Sequence, residues 1–154
     1  MIIQTNNLND ARKQINLLKK EGKKVIVFAQ DDEFNRKIFE NKDVDLVIGL
    51  EFNKQDFMKQ RNSGLNEILC TLAKKNNISI GIDLDTIRKL DSIEKAKVLA
   101  RIRQNIQLCK RIGTKINFLG DIGKIEIMGF IKVLGGNTKQ GIDACLENPE
   151  NYKV

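Results

Sequence analysis

No histidine occurs among the 154 residues, there is no tryptophan, and tyrosine and proline appear once each. Without imidazole a serine or cysteine nucleophile would have to rely on lysine or a carboxylate as its base, and nothing in the spacing suggests such a dyad. The single Tyr152 argues against an aromatic platform for stacking bases, although Phe34, Phe39, Phe52 and Phe57 are not all assignable to the core from sequence. Cys70, Cys109 and Cys145 are an odd number, widely spaced, which argues against a disulfide framework and a zinc site. Each falls at an apolar helical position, so buried free thiols are expected. No apolar run approaches the roughly 18 residues of a membrane span, and the N-terminus lacks the apolar stretch of a secretory signal. A soluble cytoplasmic protein without membrane partners is expected. There is no Walker-type run and no G-x-G-x-x-G, so nucleotide binding is not indicated.

Positive charge is present, and it is uneven. Lys plus Arg against Asp plus Glu stand at 9 to 8 over residues 1–50, 13 to 7 over 51–113 and 5 to 5 over 114–154, so the middle third carries nearly all of the net +7. From Lys95 to Arg111 six cations (Lys95, Lys97, Arg101, Arg103, Lys110 and Arg111) are interrupted by no acid. Such a block raises a local positive potential that a polyanion would feel and a small substrate would not need.

Short branched-apolar runs alternate with amphipathic stretches, the pattern of parallel strands joined by crossover helices. Strands are predicted over Ile2–Thr5, Val25–Ala29, Val44–Gly49, Ile78–Leu84 and Ile116–Leu119. They are continuously apolar, as in strands covered on both faces. Leu8, Ala11, Ile15 and Leu18 predict a helix capped by Asn7 or Asn9 and ended by Gly22; Asp31 caps a shorter one carrying Phe34 and Ile38 inward. A third helix is predicted over Ser63–Asn76. The longest runs from Ser92 to Ile112, with Val98, Leu99, Ile102, Ile106 and Cys109 inward. That leaves Lys97, Arg101, Gln104 and Arg111 on one flank and Arg103 with Lys110 on the other. Ile125–Leu134 fits strand or helix, with helix preferred, and a last helix runs from Thr138 to Glu147 before Pro149. At this length a single domain over residues 1–154 is expected. Five strands with intervening helices make either a doubly wound sheet or part of a barrel, and periodicity does not choose.

Arg61-Asn62-Ser63-Gly64-Leu65-Asn66, then Ile80-Gly81-Ile82-Asp83-Leu84, then Leu99 through Cys109, together with Asn35-Arg36-Lys37, Val44-Asp45-Leu46 and Leu134-Gly135, form a series that resembles ribonuclease P protein component 3. That family is a protein subunit of the archaeal and eukaryotic ribonucleoprotein that trims the 5′ leader from precursor tRNA. The resemblance implies a TIM-type (β/α) barrel, binding to the catalytic RNA without a catalytic centre in the protein, and pairing with component 2. It also implies no cofactor in this chain, with Mg²⁺ expected on the RNA subunit. A complete barrel commonly takes about 250 residues, and the chain begins where a fuller relative would already have laid down its first units. The expected fold is therefore an incomplete α/β barrel of about five parallel strands with outer helices, whose open edge invites homo- or hetero-oligomerisation.

Within this frame the candidate RNA contacts are Arg36, Lys37, Arg61, Asn62, Ser63, Lys97, Arg101, Arg103, Lys110 and Arg111. Arginine suits forked phosphate contacts, and a block without acids lacks the i to i+4 pairs that would make it an ordinary solvated face. Ser63 or Asn62 is expected to open a helix whose free N–H groups would receive a phosphate beside Arg61, the alternative being an ordinary capped helix. The family motif usually continues with histidine where this chain has Glu67. Asp83 and Asp85 either cap the turn that follows their strand or, with Asp121, hold Mg²⁺ in a phosphoesterase-like site. A third alternative is a protein-interaction module completed by a partner chain.

Overall fold

The computed structural model describes residues 1–52 and 54–146. Five parallel strands form one sheet: β1 (Ile2–Ile3), β2 (Ile26–Phe28), β3 (Leu46–Ile48), β4 (Ser79–Asp83) and β5 (Ile116–Leu119). Seven helices are present among the described residues: α1 (Leu8–Lys20), α2 (Asp32–Phe39), α3 (Glu67–Lys75), α4 (Leu84–Lys89), α5 (Ser92–Ile112), α6 (Lys124–Val133) and α7 (Thr138–Leu146).

The spatial order of the strands is their order along the chain. A doubly wound sheet needs a reversal of strand order to place helices on both faces. Here every crossover runs the same way, and right-handed crossovers without reversal put the helices on one face only. Side-chain alternation separates the two faces cleanly. Ile3, Val27, Val47, Ile80, Ile82, Ile116 and Phe118 belong to the large core shared with the helices, whereas Ile26, Leu46, Ile48 and Leu119 form a second cluster with Ile2 and Phe28 against them. This second cluster is the inside of a curled sheet. The sheet is not closed: among the described residues β1 and β5 each have one neighbour.

Helix boundaries follow from their caps. Asn7 accepts from the N–H of Asn9 and Asp10, Asp31 from Phe34, and Asp91 from Ile93 and Glu94. Gly113, at φ 85°, ends α5 in the left-handed conformation that glycine adopts without strain. The first four strands are shorter than expected, and two of the boundaries that move bear on the candidate site. Asp83 caps α4, so β4 stops one residue short of Leu84. Asn66, not Asn62 or Ser63, caps α3, whose first helical residue is Glu67. The ambiguous Ile125–Leu134 segment is helical, as preferred. The expected end of the last helix at Glu147, Pro149 and Tyr152 lie outside the described residues. Cys70 and Cys109 are buried, Cys145 is half-buried, and all three are free.

The inside of the curl is tight at β4. A Cβ on Gly81 would collide with the side chains of Ile48 and Leu46 on the neighbouring strand. Gly81→Ala is therefore expected to lower stability by about 1–3 kcal/mol through overpacking. Urea unfolding should show this as a lower midpoint with an unchanged slope.

Candidate nucleic-acid interface

The site is built where α5 meets the segment between β3 and α3. Arg101 is buried at 5 % exposure on the inward side of α5, together with Val98, Ile102, Asn105, Ile106 and Cys109. Its guanidinium donates from Nη1 to the Glu51 carbonyl at 3.2 Å, and from Nη2 to the Lys54 carbonyl at 2.8 Å and Asp56 Oδ1 at 3.2 Å. Such charge-assisted bonds compensate the cost of taking a guanidinium out of water. Further along the helix, Gln104 Nε2 donates to the Arg61 carbonyl at 3.4 Å, Asn105 Nδ2 to the Ser63 carbonyl at 3.1 Å, and Arg111 Nη2 lies 3.6 Å from Glu67 Oε2. Two successive turns of one helix, at Arg101 and at Gln104 with Asn105, thus hold the loop, and Arg111 reaches the start of α3 beyond it.

This arrangement corrects the expectation that Arg101 lies on an exposed flank facing RNA. Its helical phase falls within the buried stripe, and both of its terminal amino groups donate to the chain's own carbonyls and carboxylate, while Nε is buried without a partner among the described residues. Arg111 is exposed, but the Glu67 carboxylate shares its charge.

The motif Arg61–Asn66 is a folded turn, not a helix start. Asp56 Oδ1 accepts from the Asn62 N–H at 2.9 Å, and Asn62 Oδ1 accepts from the Gly64 N–H at 3.0 Å. Ser63 is buried and donates to the Leu65 carbonyl. Gly64 has φ 74°, and a Cβ there would collide with the Leu50 carbonyl oxygen. Asn62 and Ser63 therefore serve the turn, and the expected phosphate seat on their free N–H groups is not formed. Only Arg61 keeps an exposed side chain in that motif alongside Asn66.

The other candidates lie elsewhere. Arg36 and Lys37, in the last turn of α2, both reach Glu40, at 3.4 and 3.3 Å. Lys37 first, with Arg36 adding to it, holds the Glu40 carboxyl below its ordinary value. Lys97 pairs with Glu94 at 2.7 Å. Arg103 and Lys110 are exposed and make no hydrogen bond or ion pair among the described residues. Seven residues apart, they lie two turns apart on one face, separated by roughly 10 Å along the axis. They are the uncommitted cations of the helix.

The acidic candidates are engaged locally. Asp83 caps α4 by accepting from the Thr86 N–H and hydroxyl, at 3.2 and 2.6 Å. Asp85 pairs with Arg88 at 3.2 Å, and Arg88 also donates to the Asp121 carbonyl. Among the described residues no group of three His, Cys, Asp or Glu side chains is placed to hold a metal ion. No helix there is long and apolar enough to cross a membrane.

Sequence reasoning missed Glu51. It lies just beyond β3 at 1 % exposure, with Oε1 unpartnered among the described residues. Burial pushes its carboxyl up to about 7, its own backbone N–H opposing this and the Asp83 carboxylate adding to it. Asp56, by contrast, is held below its ordinary value, chiefly by the Asn62 N–H and then by Arg101. A lone acid at the end of a branched-apolar run gave no signal of burial.

These features define a class: a parallel α/β half-barrel with an internally clamped loop and an exposed cationic face on its longest helix. Within that class the curated homologues are proteins named Ribonuclease P protein component 3. That of Methanococcus vannielii is 27 % identical over 139 residues, covering 86 % of this chain and 58 % of the relative. That of Methanosarcina mazei is 24 % identical over 133 residues, covering 82 % and 53 %. The chain thus spans about half the length of the curated relatives it matches. No family model matches it. A chain in the cryo-EM structure of archaeal ribonuclease P with mature tRNA superposes with a TM-score of 0.77 at 19 % identity, over 95 % of this chain and 64 % of that one. A crystal structure of an uncharacterized protein gives 0.58 at 13 % identity, over 90 % of this chain and 36 % of that one. Both are likenesses of fold.

Arg101→Met should cost about 3 kcal/mol, because it leaves two carbonyls and the Asp56 carboxylate without their donor; hydrogen exchange would register faster opening at Asn62 and Gly64. For Glu51 the sign follows from its raised value. Folding favours the protonated carboxyl, so its contribution to stability is full below about pH 4.5 and falls as pH rises toward 7. Glu51→Gln is expected to remove that fall and to stabilise the protein at about pH 8 by an amount on the order of 3 kcal/mol. Chemical unfolding across the pH range measures it.

Proposed function

We propose that this chain acts as a non-catalytic protein subunit of ribonuclease P, binding and stabilising the catalytic RNA that removes the 5′ leader from precursor tRNA. The observation that carries this reading is the pair Arg103 and Lys110, exposed on one face of α5 without an acid to neutralise them, in a chain whose curated homologues are named Ribonuclease P protein component 3. Phosphodiester hydrolysis is assigned to the RNA and its Mg²⁺. The protein supplies cations that lower the repulsion between packed phosphate backbones, with Arg61 and, less freely, Lys97, Arg111, Arg36 and Lys37 adding to the field.

The open sheet supports the rest of the proposal. Among the described residues β1 and β5 leave one edge each unpaired, and exposed strand edges are satisfied by covering elements or by another chain. Component 2, or a second copy of this chain, is the proposed occupant, in a cytoplasmic particle.

The test is reconstitution of precursor tRNA cleavage with the cognate RNA, with and without this chain. An unchanged rate and an unchanged magnesium requirement would remove the reading. In direct binding, Arg103→Gln with Lys110→Gln is expected to weaken affinity across unrelated RNA sequences and to reduce the slope of log affinity against log salt by about 2.

A further inference from the structure

The segment that Arg101 clamps ends in a hairpin with an apolar tip. Phe57 and Gln60 exchange backbone bonds, Phe57 N–H to the Gln60 carbonyl at 2.8 Å and Gln60 N–H to the Phe57 carbonyl at 3.2 Å. Between them Met58 and Lys59 form the turn. Phe57 is 67 % exposed and Met58 100 % exposed. Other phenylalanines in the chain have partners: Phe34 and Phe39 are buried in the core, Phe28 stacks on Phe52, and Phe118 meets Phe130 edge to face. Phe57 has none of these roles, and its exposure forfeits hydrophobic stabilisation within the chain.

The base of the hairpin is held on both sides. Asp56, the residue before it, is fixed by Arg101 and by the Asn62 N–H, and the carbonyl of Arg61, the residue after it, accepts from Gln104. Net charge beside the tip is positive. Lys59 and Arg61 are exposed, whereas the nearby Asp56 carboxylate is already committed to Arg101 and the turn.

The geometry points to a single-base stacking finger: Phe57, presented on the clamped hairpin 57–60, receives the face of an unstacked nucleobase from a loop or bulge of RNA, while Lys59 and Arg61 meet the flanking phosphates. An aromatic ring offers a π-face to any base, so the contact favours unpaired over paired RNA without choosing sequence. The cations at the tip favour RNA over the apolar groove of a protein partner. This inference rests on the subunit reading and adds to it the class of RNA element contacted.

The chain contains no tryptophan, so Phe57→Trp makes the finger its sole tryptophan reporter. Two probes suffice: an oligoribonucleotide stem with a single-stranded loop, and the same stem as a blunt duplex. Fluorescence quenching is expected with the stem-loop and not with the duplex. Phe57→Ala should weaken stem-loop binding roughly 5- to 150-fold, the equivalent of one stacked base, and leave duplex binding unchanged. Phe57→Leu should behave as Phe57→Ala, whereas Phe57→Trp keeps full affinity. Full affinity for Phe57→Leu, or equal binding of both probes by Phe57→Ala and the unaltered chain, would overturn the finger and leave the role of Arg103 and Lys110 standing. Failure of the unaltered chain to bind either RNA would overturn both. Because the ring is mostly in solvent, each variant should keep the parent's urea midpoint, which controls for folding.

Discussion

The buried guanidinium of Arg101 is the constraint on which the candidate site depends. It lies inside, between the longest helix and the end of the third strand, and its bonds run to two carbonyls and one carboxylate of a single segment. A loop of this length has little core of its own, and loop backbone left inside without partners would be costly. The guanidinium supplies those partners in a fixed fork, which an ammonium cannot do. Gln104 and Asn105 extend the same seam by one turn. Positions that carry positive charge or hydrogen-bond donors in the sequence are thereby divided between two tasks, holding the chain to itself and facing solvent.

That division explains why charge counting and charge placement give different answers. The uninterrupted cations from Lys95 to Arg111 promise one ridge, but a helix turns 100° per residue and distributes them around its axis. Arg101 points in, Arg111 is tied to Glu67, Lys97 to Glu94, and Lys95 donates to the Arg88 carbonyl. What remains for a polyanion is the face with Arg103 and Lys110. A field need not come from unpaired groups alone, since a surface ion pair is weak and screened. The paired cations therefore still contribute at a distance, while the uncommitted pair is free to make direct contacts.

The fold was legible in the sequence because its signals are local and repeated. Branched-apolar runs marked all five strands, and Asn7 and Asp31 marked helix starts where the structure has them. The choice between barrel-type and doubly wound sheets was not legible from periodicity, because both use strands covered on two faces. Only the sequential strand order and the two separate apolar clusters decide it. At the site the reverse holds. Arg101 and Asn105 sit four residues apart in phase with Val98, Ile102 and Cys109, so their burial is encoded in the helical repeat, although their polar residue types point the other way. Ser63 and Asn62 belong to residue types that cap helices and also close turns, and Gly64 settles the matter by requiring a positive φ three residues before the helix begins. Glu51 had no sequence signal, since its burial depends on elements distant in the chain.

The same clamp links the fold to the RNA contact inferred for Phe57. A stacking side chain is effective when the loop bearing it does not have to be ordered at the moment of binding, because ordering costs conformational entropy for each residue fixed. Here both flanks of the hairpin are fixed to α5 in the free protein, Asp56 through Arg101 and the Arg61 carbonyl through Gln104. The helix that carries the exposed cations also carries these donors. The proposed backbone-binding face and the proposed base-stacking tip are thereby mounted on one helix, which would fix the geometry between phosphate contacts and the base they accompany.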